Sequence, residues 1–268
     1  MMTFLGEVLA FSLLAFWLLL FGVQWLAERL GSWLGRRHAS RGAAPAEGVG
    51  VVVGGMLGLL AFVLALTLSF ASTRFEERRQ GTLTEANALG TAWLRAKAIG
   101  HPRGEEMAKL LQDYTKLRAD FIQAPADREV VRAINDQTSA LQNRIWEHIT
   151  AIVRERPDAI SSSLMAATNE VFDSSTAERF AFSHTMPPQM VWLLMGIAVL
   201  SIGALGYQLG LRKLSLPILS VLLIGMWTSV IVVILDLSAP RIGSMRSSAA
   251  AYHWTLQGFT SDSATQGR

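Results

Sequence analysis

The sequence predicts an all-α fold: a polytopic membrane protein with four transmembrane helices and a helical-bundle insertion between spans 2 and 3. Three observations predict it. Four apolar runs, 4–26, 50–71, 190–211 and 214–237, each match the ~20 residues needed to cross a hydrocarbon core of about 30 Å. Between the second and third runs lies a charged stretch, 73–185, with 15 Lys/Arg and 16 Asp/Glu. That stretch lacks the period-2 alternation of strands, and prolines cut it into pieces of helical length. Five segments follow: 1–48, a first transmembrane helix and basic linker; 49–72, a second, candidate pore helix; 73–186, a soluble helical domain; 187–237, the third and fourth spans; and 238–268, a C-terminal segment expected to be partly disordered.

The first run is too long for the apolar part of a signal peptide and has no basic segment before it. It reads as an uncleaved span, with Glu7 in its first turn and Trp25 and Trp33 as interfacial aromatics. Arg29, Arg36, Arg37, Arg41 and Pro45, with several glycines, read as a basic linker that can meet anionic lipid.

In the second run Gly54, Gly58, Ala61, Ala65, Ser69 and Ser72 recur at steps of three and four, which places them on one helical face. Small residues in such a seam let helices approach closely in lipid. Phe62, Leu66 and Phe70 mark the neighbouring face. Both faces can simply pack against other spans. Alternatively, several copies surround an axis, and apolar rings gate a pore by dewetting. The helical pattern continues without proline to Ala98, so an unbroken helix from Gly50 would reach about 75 Å. Gly81 and Gly90 are the expected places for a bend.

Prolines at 102, 125, 157 and 187–188 divide the insertion into helical pieces 73–99, 104–123, 127–155 and 161–185. In the third, Val130, Ile134, Leu141, Ile145, Ile149 and Ile152 trace an apolar stripe. The third and fourth spans form a hairpin across Arg212 and Lys213, with Pro217 suited to a first helical turn. Gly203, Gly206 and Gly210 give the third span a close-packing face. The end of the chain mixes apolar residues, among them Tyr252, Trp254 and Phe259, with a polar tail.

Four spans put the insertion and both termini on one side of the bilayer. Basic residues near the span ends divide six against six between the two sides, so charge does not orient the protein. The net charge of +3 and the lack of a basic stripe with interleaved aromatics argue against a nucleic-acid partner. No cysteine is present, which excludes disulfides and thiolate chemistry. The five histidines are scattered singly, and no phosphate-binding, nucleophile-elbow or zinc-protease motif occurs. No enzyme, metal site or cofactor is expected.

The run Thr84-Glu85-Ala86-Asn87-Ala88-Leu89-Gly90-Thr91-Ala92-Trp93-Leu94-Arg95 closely resembles the signature of the bestrophin-like domain family of mostly bacterial membrane proteins. So do Tyr114 with Arg118, Asn169-Glu170 with Asp173 and Arg179, Gly206-Tyr207-x-x-Gly210, and Asp236-Leu237-x-x-Pro240-Arg241-x-Gly243. The motif order also matches, over about 50–245. A more distant resemblance links the chain to bestrophin anion channels, through architecture and the exit segment Arg74-Phe75-Glu76-Glu77-Arg78-Arg79.

That resemblance implies an oligomer, a pentamer by analogy, whose second span lines an ion pathway. It puts Gly58, Phe62 and Leu66, with Phe70 beyond, at a candidate neck, and Arg74, Arg78 and Arg79 at a candidate ion-facing vestibule. The neck departs from the bestrophin pattern in having Gly and Leu among its residues, and the acidic cluster of a calcium clasp is not found. By the same analogy the protein belongs in the bacterial inner membrane, with the insertion in the cytoplasm. Glu85, Asn87, Arg95, Asn169, Glu170, Asp173, Asp236 and Arg241 form the family's polar hallmark, read either as a buried locking network or as an ion vestibule. The expected function is thus an oligomeric, anion-leaning channel in the bilayer. The alternative is a membrane-anchored sensor or scaffold whose helical domain binds a protein. A third reading is a transporter using Glu7 or Asp236 as a proton site.

Overall fold

The computed structural model describes residues 2–41 and 47–265, with side chains over 13–41 and 48–260. The side chain of Glu7, the linker residues 42–46 with Pro45, and residues 266–268 lie outside that description. Among the described residues the chain forms eight helices and no strand: α1 (Met2–Ser40), α2 (Glu47–Ala98), α3 (Pro102–Gln123), α4 (Arg128–Glu155), α5 (Ala159–Ser183), α6 (Pro188–Leu211), α7 (Pro217–Ser238) and α8 (Ala250–Thr265).

The helix starts follow from local chemistry. Pro102, Pro188 and Pro217 each occupy a first turn, where the missing N–H costs nothing. The Asp127 carboxylate accepts from the Glu129 and Val130 amides at the start of α4. Asp158 and Ser161 form a reciprocal capping box at the start of α5.

Among the described residues four stretches are long and apolar enough to cross a membrane: Leu13–Ser40, Gly48–Ala98, Ala159–Leu211 and Pro217–Ser238. The third includes α5, but Glu170, Asp173, Glu178 and Arg179 make α5 unfit for lipid, so α6 is the crossing part. In α2 the crossing part ends before Arg74 for the same reason.

The chain divides into two units. The first gathers α1, α2 through Thr73, α6, α7 and residues 243–245. Leu20, Leu60, Leu64, Ala71, Leu194, Ala198, Ile231 and Ile234 form its core. Its tightest packing is between α1 and α6. A Cβ added at Gly31 or Gly35 would collide with the backbone carbonyl of Gly203 or Tyr207, and one at Gly206 or Gly210 with that of Glu28 or Ser32. Backbones this close maximise dispersion contact, which drives helix association where lipid removes the hydrophobic incentive. Polar links reinforce the unit: Gln24 Nε2 donates to Thr228 Oγ1 (3.1 Å), and His38 Nδ1 lies 2.7 Å from the Tyr207 hydroxyl.

This packing corrects the reading of 27–41 as a linker. Arg29, Arg36 and Arg37 are helical, because Gln24, Glu28, Gly31, Ser32 and Gly35 recur on one buried face of α1. The arginines occupy the outer face, where Arg29 and Arg37 cover the Trp25 and Trp33 rings at 5.1 and 5.3 Å.

The second unit gathers α2 from Arg74, α3, α4, α5, residues 240–242 and α8. Leu89, Trp93, Met107, Leu111, Ile145, Ile149, Ile152, Leu164, Val171, Tyr252 and Phe259 belong to its core. The expected α4 stripe is buried only in its second half, since Val130 is exposed and Ile134 and Leu141 are half-buried. Two further expectations change. α2 is a single helix through Gly81 and Gly90, which serve as seats for neighbours: their Cα positions face Glu178 on α5 and Thr255 on α8. The C-terminal segment, expected to be partly disordered, forms α8 up to Thr265. Ala249, Tyr252 and Phe259 repeat at helical spacing and are buried, with Phe259 stacked on Trp93 at 4.6 Å. Burying those two rings offsets the ordering cost that the polar residues alone would not.

Candidate functional site

α2 presents its small-residue seam outward. Leu60, Leu64, Thr67 and Ala71 are buried in the first unit, whereas Gly54, Gly58, Ala61, Ala65, Ser69 and Ser72 are exposed. A Cβ added at Gly54 or Gly58 would meet nothing within 4 Å. Of the candidate neck, Phe62 and Leu66 are 61% and 55% exposed, Gly58 is exposed and Phe70 is half-buried. The glycines of the α6 seam therefore meet α1 closely, whereas Gly54 and Gly58 of α2 meet no neighbour among the described residues.

The candidate vestibule arginines separate. Arg74 Nη1 pairs with Glu77 at 2.9 Å, and Arg79 Nη1 lies 3.8 Å from Glu76. Both pairs are solvent-exposed and contribute little to stability. Arg78 is buried, 6.0 Å over the Phe75 ring, and desolvation disfavours its charged form, with Glu77 partly opposing that.

The second unit encloses a cluster of ionisable groups that is closed to solvent. Arg118 of α3 donates from Nε and Nη2 to the two oxygens of Glu85 on α2, at 2.7 and 3.0 Å. Its Nη2 also donates to Glu178 Oε2 on α5 at 2.6 Å. The Tyr252 hydroxyl of α8 lies 2.8 Å from Glu85 Oε2 and 2.9 Å from Glu178 Oε2. Glu85, Arg118, Glu178 and Tyr252 are all 0% exposed. A fork-to-fork pairing of arginine and carboxylate is the strongest available geometry for such a site.

Two carboxylates and one guanidinium would leave a net charge of −1 in a closed interior, which is costly. One retained proton removes it, and Glu178 is the carboxyl that burial and the Glu85 charge push toward its protonated form. Thr82 Oγ1 lies 3.0 Å from the Arg78 carbonyl and 2.6 Å from Glu178 Oε1. At the shorter of those two distances the Thr82 hydroxyl donates to Glu178 Oε1, and Glu178 Oε2 accepts from Arg118. Burial first, and then the Glu85 charge, push the Glu178 carboxyl up to about 8. Burial also raises the Tyr252 and Tyr114 hydroxyls above their ordinary range. For Arg118 burial acts the other way, but the charges around it outweigh burial and hold it protonated. The cluster is thus a neutral, proton-holding bolt through four helices. It exposes no reacting group.

Of the predicted hallmark residues, Glu85 lies in this cluster. Asn87, Asn169, Glu170 and Asp173 are exposed. Arg95 is exposed too and ties α2 to α5 by donating to the Ser163 carbonyl at 2.7 Å. Asp236 locks the turn after α7, accepting from the Ser244 amide (2.9 Å) and hydroxyl (2.5 Å). Gly243 makes that turn possible: its φ is +107°, and a side chain there would collide with the Asp236 carboxylate. Arg241 donates to the Phe121 and Ala124 carbonyls at 2.7 and 3.3 Å.

Residue type alone points to neither Glu178 nor Thr82 as a cluster member, Tyr252 reads as one of the apolar residues near the chain end, and Arg118 stands out only as part of a motif. The available signal was positional. Leu164, Thr168, Val171, Ser175, Glu178 and Phe182 follow steps of four and three and are all buried, so Glu178 is an acid on the core-facing stripe. Arg118 stands likewise in line with Leu111 and Thr115.

The sequence pattern of the bestrophin-like domain family matches residues 14–252. The fold is also similar to crystal structures of a bacterial bestrophin homologue from Klebsiella pneumoniae. One form gives a TM-score of 0.67 at 14% identity, over 92% of this chain and 96% of that one. A single-site mutant form gives 0.69 at 16% identity, over 92% and 97%. A crystal structure described as a membrane protein gives 0.67 at 16% identity, also over 92% and 97%. Among curated proteins none matches the chain.

Proposed function

Because this chain belongs to the bestrophin-like domain family, we propose that it is a membrane channel built from several copies, with α2 of each around a common axis. The observation that supports this reading is the outward face of α2. Gly54, Gly58, Ala61, Ala65, Ser69 and Ser72 form a seam suited to close helix contact, all six are exposed, and among the described residues none lies within 4 Å of a Cβ added at Gly54 or Gly58. A second copy of α2 fits such a seam. Phe62 and Leu66, exposed on the adjacent face, then form apolar rings that can open and close to water. A lean toward anions rests on the distant resemblance to bestrophin anion channels alone, because in the exit segment Arg74 and Arg79 are paired with Glu77 and Glu76 and Arg78 is buried. The setting proposed is the bacterial inner membrane, with 73–186 cytoplasmic.

Flux into liposomes tests the reading. Purified protein should pass ions, Phe62→Ala and Leu66→Ala should each change the rate severalfold, and the reversal potential should follow the chloride gradient. A protein that is monomeric in detergent and passes no ion under any salt condition would be an anchored binding module instead. Orientation has its own test. With no native cysteine, Ser40→Cys and Ser139→Cys can be labelled without background, and both sites are exposed. Labelling at position 139 by an impermeant reagent in intact cells would refute a cytoplasmic insertion.

A further inference from the structure

The helical unit contains a second feature that conduction does not use. A cavity of about 470 Å³ opens among α3, α4, α5 and the segment after α7. Arg179 and Arg241 line it, and none of its nine lining residues is acidic. Among the described residues neither arginine forms an ion pair.

Arg241 is held firmly. Its Nη1 is taken by the Phe121 and Ala124 carbonyls, and its guanidinium covers the Phe121 and Phe182 rings at 4.5 and 5.0 Å. Nε and Nη2 have no protein acceptor among the described residues. Burial first, and then the neighbouring Arg118 charge, disfavour its cation. A fixed cation in that position is stabilised by an anion brought beside it. Phe121, Val131, Phe180 and Phe182 supply the apolar part of the wall, beside the hydroxyl residues Thr176 and Ser183. The lining residue Ser183 stands five residues before α6, and Arg241 three after α7, so this wall is built next to the spans along the chain.

We propose that this cavity binds a phosphate group carrying a hydrocarbon portion, with Arg179 and Arg241 on the phosphate oxygens and the phenylalanine rings against the hydrocarbon. A phosphate offers several oxygens to two guanidinium forks at once. The same chemistry occurs in an anionic lipid headgroup and in a soluble phosphate ester. The proposal stands whether or not the protein conducts.

The test uses the full chain in detergent micelles and reads binding by calorimetry and by thermal stabilisation. Four probes are titrated: short-chain phosphatidylglycerol, hexyl phosphate, inorganic phosphate, and phosphatidylcholine of the same chain length. Arg241 anchors two carbonyls, so the variants are Arg179→Gln, which removes a charge, and Val131→Trp, which fills the cavity. The expected result is saturable binding of the phosphatidylglycerol or hexyl phosphate, weakened about tenfold or more in each folded variant, with phosphatidylcholine inert. Preference for phosphatidylglycerol identifies the lipid source, and preference for hexyl phosphate the soluble one. Equal binding of phosphatidylcholine, binding of inorganic phosphate alone, no saturable binding, or unchanged affinity in both variants overturns the proposal.

Discussion

Replacing Glu178 by glutamine makes the buried charge cluster measurable. The folded chain retains a proton on Glu178 up to a pH of about 8, whereas the free carboxyl gives it up near 4.5. Between those values the unfolded state binds fewer protons than the folded one. The stability this proton confers is therefore fully present below pH 4.5 and is lost as pH rises through 8. The interval of 3.5 units, at about 1.36 kcal/mol per unit, gives a loss on the order of 5 kcal/mol. In a protein this size that corresponds to roughly 10–20 °C in Tm. Glutamine has the shape of the neutral acid but cannot ionise. Glu178→Gln should match the parent protein near pH 5 and exceed it by most of that margin at pH 8.5. The assay is denaturation of the full chain in detergent across pH 5–8.5, followed by tryptophan fluorescence, since Trp93 is buried against Phe259. A parent protein whose stability is flat over this range, or a glutamine variant with the parent's slope, would refute the proton assignment.

Arg118→Met should cost about 3–5 kcal/mol at neutral pH, because it strands the Glu85 carboxylate in the interior, and acid should recover part of the loss in the same denaturation assay. Tyr252→Phe should cost about 1–2 kcal/mol and should hasten proteolytic removal of α8, seen as a shortened band after limited digestion. Gly31→Ala should lower the yield of folded protein severely, since its methyl group meets the Gly203 carbonyl. Gly58→Ala should leave the thermal stability of the isolated chain within about 0.5 kcal/mol, and a size measurement should show any weakening of the oligomer.

Much of the fold is legible in the sequence because its punctuation is strong. Prolines mark the starts of α3, α6 and α7, and the apolar runs coincide with helices α1, α2, α6 and α7. Residues 27–40 and α8 are harder to read, since each buries a narrow stripe within a polar or basic segment. Composition averages over the whole segment, whereas packing depends on the stripe alone. The cluster is legible only in part for a related reason. Glu85 falls within a recognisable signature, but Glu178 sits in a charged helix beside exposed Glu170 and Asp173. Nothing in residue type separates a buried acid from a solvated one. Only its register with Leu164, Val171 and Phe182 does so, and that register acquires meaning once partners on three other helices are known.

The four groups of the cluster are 33, 60 and 74 residues apart in synthesis order, from Glu85 through Arg118 and Glu178 to Tyr252. A nascent chain that has completed α5 already holds both carboxylates and the guanidinium, but not the helix that covers them. Until α8 docks, those charges are solvated and the bundle remains open on that side. Exposure of Trp93 on α2 therefore reports whether α8, which stacks Phe259 on that ring, is in place.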